Sequence, residues 1–129
     1  RITEGTISEA LALSKLDITE WFAVKDFDEF NRAFLQLYVE VGSEGMHGAM
    51  TKDIIKEHLS IYFRYVDTDY NDLKRLLGIE PLVISIIPAG TISQFSNTFG
   101  RSLRKMNPSH FDVIEVLKIA NSGNGKGVF

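Results

Sequence analysis

Gln94, Asn97, Arg101 and Arg104 recur at three- and four-residue spacing within Thr91 to Met106 (TISQFSNTFGRSLRKM), with Ser93 and Lys105 at the margins. Wound as a helix, these amides and guanidiniums lie opposite an apolar stripe of Ile92, Phe95, Phe99, Leu103 and Met106. No acid stands in the stretch. Amide side chains match the edge of adenine, guanidiniums match guanine, and cations take phosphate, so the pattern fits contact with nucleic acid. It fits equally the solvated side of an ordinary amphipathic surface helix.

Catalytic chemistry has less behind it. His47, His58 and His110 are scattered, and none sits at metal-binding spacing from another ligand. His58, on an apolar helical face, reads as a core residue. The tip Ser122 to Gly127 lacks the pattern of a phosphate-binding loop, since Ala120 stands where the first glycine belongs and Gly127 where a hydroxyl belongs. Asp67, Asp69 and Asp72 suggest a calcium loop until Lys74 and Leu77 occupy places that need oxygen ligands. With no cysteine in the chain, thiol nucleophiles, disulfides and thiolate metal centres are excluded. The sequence therefore predicts no catalytic residues, no metal, no cofactor and no enzyme.

The elements that would position the polar face follow from periodicity and capping. Thr6 with Glu9 has capping-box spacing, which predicts a helix from Ile7 to Lys15. Asp17 caps a short turn holding Trp21 and Phe22. Asp26 with Glu29 opens a helix on which Phe30, Phe34, Leu37, Tyr38 and Val41 share a face, closed by Gly42. Gly42 to Met50 carries three glycines and reads as a flexible connection. Thr51 caps a helix through Tyr65, and Tyr70 to Leu77 form a short helix closed by Gly78. Leu82 to Ile87, between Pro81 and Pro88, reads as a strand; Thr91 then caps the helix described above, which Asn107-Pro108 stops. In the last segment Phe111, Val113, Leu117 and Ile119 alternate as in a strand, and β-branched content favours that reading, although Ser109 with Asp112 has the spacing of a helix cap. Asn121 to Gly127 would turn the chain back as a hairpin.

At 129 residues, 44% hydrophobic and 24% charged, the chain has the composition of one soluble globular domain. No apolar run approaches the roughly 20 residues of a membrane span, which predicts no membrane, and the absence of cysteine fits an intracellular setting, cytoplasmic or nuclear. The net charge of −3 is unevenly spread: residues 1–50 carry −5, residues 51–129 carry +2, and residues 91–129 carry +3. The organisation predicted is a single domain, 1–129, with an acidic helical subregion at 1–42, a glycine-rich connection at 43–50 and a third part at 51–129. The acidic front suits a homo-oligomer contact or a protein partner better than a polyanion.

The order helix, short helix, helix and basic hairpin over 51–129 resembles a winged helix-turn-helix. Phe99 to Lys105 (FGRSLRK) is also similar to the third helix of such modules in phage and plasmid replication proteins, and Asp69 to Ile79 (DYNDLKRLLGI) partly resembles the first helix of the helix-turn-helix in bacterial enhancer-binding regulators. The family joins its second and third helices by a tight turn, whereas twelve residues separate Gly78 from Thr91 here. The resemblance implies an α+β, mostly helical fold with a small antiparallel sheet or hairpin near the C-terminus. It also implies a DNA-binding module of a replication or transcription-regulatory protein, the third helix entering the major groove. Gln94, Asn97 and Arg101 would then meet base edges, and Arg104, Lys105, Lys118 and Lys126 would meet phosphate. The alternative is a protein-interaction or oligomerisation domain without nucleic acid.

Overall fold

A three-stranded mixed sheet with helices on both faces organises the chain, as the computed structural model shows for residues 3–14, 16–42, 54, 57–62 and 82–122. Helix α1 spans Glu4–Ser14, strand β1 Ile18–Phe27, β2 Ala33–Val41, β3 Leu82–Ile87, helix α2 Thr91–Phe99 and helix α3 His110–Ser122. Residues 54 and 57–62 are helical, inside the helix expected from Thr51 to Tyr65. The expected helix at Tyr70 to Leu77, the glycine-rich connection and the tip from residue 123 onward lie outside the described residues.

The α+β class holds, with the sheet placed differently from expectation. Strands run in the order β1-β2-β3, with β1 antiparallel to β2 and β2 parallel to β3. The sheet is thus central and mixed, and it joins strands from either side of the 43–50 connection.

Two expected helical segments are strands. The turn predicted around Trp21 and Phe22 is the middle of β1, where Trp21 and Ala23 enter one core and Phe22 the other. An irregularity between Ile18 and Glu20 shifts the register, placing Ile18 on the same face as Trp21. The helix expected from Asp26 to Val41 is a turn followed by β2. Leu35, Leu37, Val39 and Val41 alternate along β2 into one core, and this period-2 pattern wins over the helical spacing of Phe30, Phe34 and Tyr38.

Asp28 serves the turn instead of a helix. Its Oδ1 accepts the amides of Phe30 at 2.9 Å and Arg32 at 2.8 Å, and its Oδ2 meets Arg32 Nε at 2.9 Å, while Asn31 takes the left-handed conformation at φ 63°. The Arg32 amide, more than any other group, holds the Asp28 carboxyl below its ordinary value; the Phe30 amide and the guanidinium add to this against partial desolvation. A carboxyl lowered on folding contributes stability above its unfolded pKa, and that contribution is lost as pH falls through the folded value. In an NMR titration, the Phe30 and Arg32 amide shifts should therefore move together with a midpoint below that of a free aspartate. A midpoint at or above the free value contradicts this account.

Both faces of the sheet are covered. On one, Ile7, Ala10 and Leu11 of α1 and Leu59 of the 57–62 helix pack on Trp21, Ala23, Leu37, Val39, Val41, Leu82, Ile84 and Ile86. Helix α1 begins a turn earlier than its sequence suggests, because the Thr3 hydroxyl accepts the Thr6 amide at 3.2 Å in place of a Thr6 cap. On the other face, Ile92 and Phe95 of α2 and Val116 and Ala120 of α3 pack on Phe22 and Ile87. Phe22 stacks on Tyr38, with centroids 4.7 Å apart and the rings 17° from parallel. Burial pushes the Tyr38 phenol up, opposed by a side-chain hydrogen bond with Gln36 and aided by the Asp26 charge.

The C-terminal strand expected over 109–120 is helix α3. Ser109 Oγ accepts the Asp112 amide at 3.1 Å, so the capping alternative prevails, and Val113, Val116, Ile119 and Ala120 form a helical stripe on the α2 side of the sheet. The hairpin arm that this strand would have supplied is absent among the described residues.

Candidate interaction surface on helix α2 and the segment after it

Helix α2 is set in place by a carboxylate that its own sequence does not contain. Glu40, on β2, is only 2% exposed. Its Oε1 accepts the Gly90 amide at 2.9 Å and the Thr19 hydroxyl at 2.9 Å, and its Oε2 accepts the Ile92 amide at 2.7 Å. Two of the four orphan amides at the helix start are thus satisfied by a negative charge, at the end where the helix dipole favours one. Thr91, the expected cap, donates its hydroxyl to the Pro88 carbonyl at 2.7 Å, and Gly90 supplies the left-handed residue at φ 87° ahead of the helix.

The helix ends at Phe99, seven residues short of the Met106 limit expected from sequence. Gly100 adopts φ 70° and its amide bonds the Ser96 carbonyl at 2.8 Å, a glycine stop that outweighs the apolar spacing of Leu103 and Met106. The chain then runs along the outer edge of β1. Ala23 N donates to Lys105 O and Asn107 N to Ala23 O, both at 2.7 Å, and Lys25 N donates to Asn107 Oδ1 at 2.9 Å. Met106 packs on the α1 side of the sheet and Leu103 on the α2 side, so both expected stripe residues are used, but not from a helix.

Of the residues singled out in sequence, Gln94 and Asn97 are exposed on α2. Arg101, Arg104 and Lys105 lie on the connecting segment and Lys118 on α3, so they do not continue one helical face; Lys126 lies outside the described residues. Arg101 pairs with Asp112, and its guanidinium stands 5.6 Å from the Phe95 and Phe99 ring centroids. Lys105 meets Glu20 at 3.3 Å and lies 5.0 Å from the Trp21 ring. Lys118 pairs with Glu115 at 3.3 Å. Arg104 is exposed. Three of the six described candidates are thus cations already matched by carboxylates.

Other chemistry is sparse among the described residues. His58 is within 3.2 Å of the Ser14 carbonyl and edge-on to Tyr62 at 5.0 Å, as expected of a satisfied core histidine. No group of three or more His, Asp or Glu side chains among the described residues is placed to hold a metal ion. A groove of about 240 Å³ is lined by Ser8, Leu11, Ala12, Leu16, Ile18 and Trp21. Its walls mix polar and apolar surface in similar measure, and none of its side chains is titratable.

The residue that sequence reasoning missed is Glu40. Its mark is an acid between Val39 and Val41, inside the run Leu35, Leu37, Val39 and Val41 whose alternate residues enter one core. A helical reading of that segment hides it on a solvated face.

No protein-family model and no curated protein matches the sequence. Among solved structures, the fold is similar to that of a GH3.15 acyl acid amido synthetase, with a TM-score of 0.62 at 16% identity. The match covers 90% of this chain and 23% of the synthetase, so the likeness is one of fold and concerns about a quarter of that enzyme. No helix among the described residues is long and apolar enough to cross a membrane.

Proposed function

We propose that this chain is an accessory domain of an enzyme that joins a carboxylic acid to an amine, working beside a catalytic part supplied by the same polypeptide or by a partner chain. The observation that carries this reading is the likeness over 90% of the chain to 23% of an acyl acid amido synthetase. The described surface is consistent with an accessory part: its groove lacks titratable groups, and Arg101, Lys105 and Lys118 are engaged by acids. Fold alone does not carry function, so activity is the test. Incubated with carboxylic acids, amines and a nucleoside triphosphate as energy source, the polypeptide or complex containing this chain should yield an amide by mass spectrometry. Deleting residues 1–129 should abolish that product. Lack of amide with every pair tried, or a yield undiminished by the deletion, overturns the proposal.

DNA binding is the second reading, favoured by the exposure of Gln94, Asn97 and Arg104. Contact with phosphate by Arg101, Lys105 or Lys118 would have to displace Asp112, Glu20 or Glu115. This reading expects duplex DNA to raise fluorescence anisotropy at low salt, with affinity falling steeply as salt rises and on Arg101→Ala with Arg104→Ala. An unchanged anisotropy at low salt rejects it.

A further inference from the structure

The two edges of the sheet are built differently. The β1 edge is guarded by the irregularity at Ile18 and Glu20, by the charges of Lys25 and Asp26, and by the backbone bonds to Lys105 and Asn107. Strand β3 lies at the opposite edge, and no strand pairs with its outer side among the described residues. Its sequence, Leu82-Val83-Ile84-Ser85-Ile86-Ile87, contains no charge, no proline, no glycine and no bulge. Val83 is 37% exposed. The devices against edge pairing that a strand carries in its own residues are thus missing from β3.

We propose that β3 is a self-association edge, which pairs antiparallel with the β3 of a second copy and doubles the sheet. The strand is self-complementary in the required sense. A two-fold axis perpendicular to the sheet and centred on Ile84 sets Leu82 opposite the partner's Ile86 and Val83 opposite the partner's Ser85. Leu82, Ile84 and Ile86 then continue the face that packs against α1 and the 57–62 helix, and no like charges meet. A net charge of −3 spread over the whole chain opposes this contact weakly compared with a charge in the strand itself. Six residues of edge make a small interface, so association depends on concentration.

Size-exclusion chromatography with light scattering tests this on the whole chain over a rising concentration series. The mass is expected to climb from one chain to two. Val83→Lys, at an exposed site, should stay at one chain with an unchanged far-ultraviolet circular dichroism spectrum, while Val83→Thr should still pair. Should Val83→Lys fail to fold, hydrogen exchange of the native chain gives the answer: β3 amides should gain protection as concentration rises. A one-chain mass at every concentration, Val83→Lys that dimerises like the native chain, or β3 exchange indifferent to concentration overturns the proposal. So does a chain that stays monomeric while an added LVISII peptide protects β3, which would assign the edge to a foreign strand.

Discussion

Replacing Glu40 with alanine is expected to destabilise the fold by about 3 kcal/mol, since hydrogen bonds to a charged group are each worth roughly 1.5–3 kcal/mol and the buried Ile92 amide would lose its acceptor, while the Gly90 amide and Thr19 hydroxyl can turn to water. The carboxylate holds the Gly90 and Ile92 amides and the Thr19 hydroxyl, at 2.7 to 2.9 Å. It therefore ties β1, β2 and the start of α2 together. In a domain of this size the loss should lower the melting temperature by roughly 10 °C. Glu40→Gln retains one acceptor oxygen and should cost about half as much. Thermal and urea unfolding of the two variants check the order, Glu40→Ala below Glu40→Gln below the native chain. A Glu40→Ala variant as stable as the native chain would mean that the helix start finds other acceptors.

An equally large loss is expected at Phe22. The side chain is fully buried, stacked on Tyr38 and packed among Ile87, Ile92, Phe95, Val116 and Ala120, so it is the point where β1 meets both helices of that face. Phe22→Ala should cost about 4 kcal/mol, combining the lost transfer of a phenyl ring with the cavity left behind. Phe22→Leu keeps much of the volume and gives up the stacking, and should cost about half of that. Hydrogen exchange adds a positional readout: amides of α2 and α3 should lose protection in Phe22→Ala more than those of α1, which packs on the opposite face. Uniform loss across both faces would show that the two cores unfold as one.

How much of this was legible in the sequence depends on where tertiary contacts decide. Leu82 to Ile87 was readable as a strand because prolines bracket a short β-branched run, and Ser109 with Asp112 carried the cap of α3 in plain view. Strand β2 is ambiguous in sequence because two periods coexist in it: Phe34, Leu37, Tyr38 and Val41 suit a helix, while Leu35, Leu37, Val39 and Val41 suit a strand. The choice belongs to β1 and β3, which pair along its two edges. The end of α2 was marked by Gly100, yet Leu103 and Met106 kept the helical spacing running because each packs on a different face of the sheet. For the candidate surface, sequence found the residue types but not their partners. Asp112, Glu20 and Glu115 lie outside Thr91 to Met106, and only folding brings Asp112 to Arg101 and Glu20 to Lys105.

The proposal that this domain serves an amide-forming enzyme is tested most directly by measuring amide product across temperature for the polypeptide or complex that carries it, native and Glu40→Ala. The Glu40→Ala form should lose product roughly 10 °C below the native form, in step with the unfolding of this domain. Equal amide yields from both forms at temperatures where circular dichroism shows the Glu40→Ala domain unfolded would contradict it.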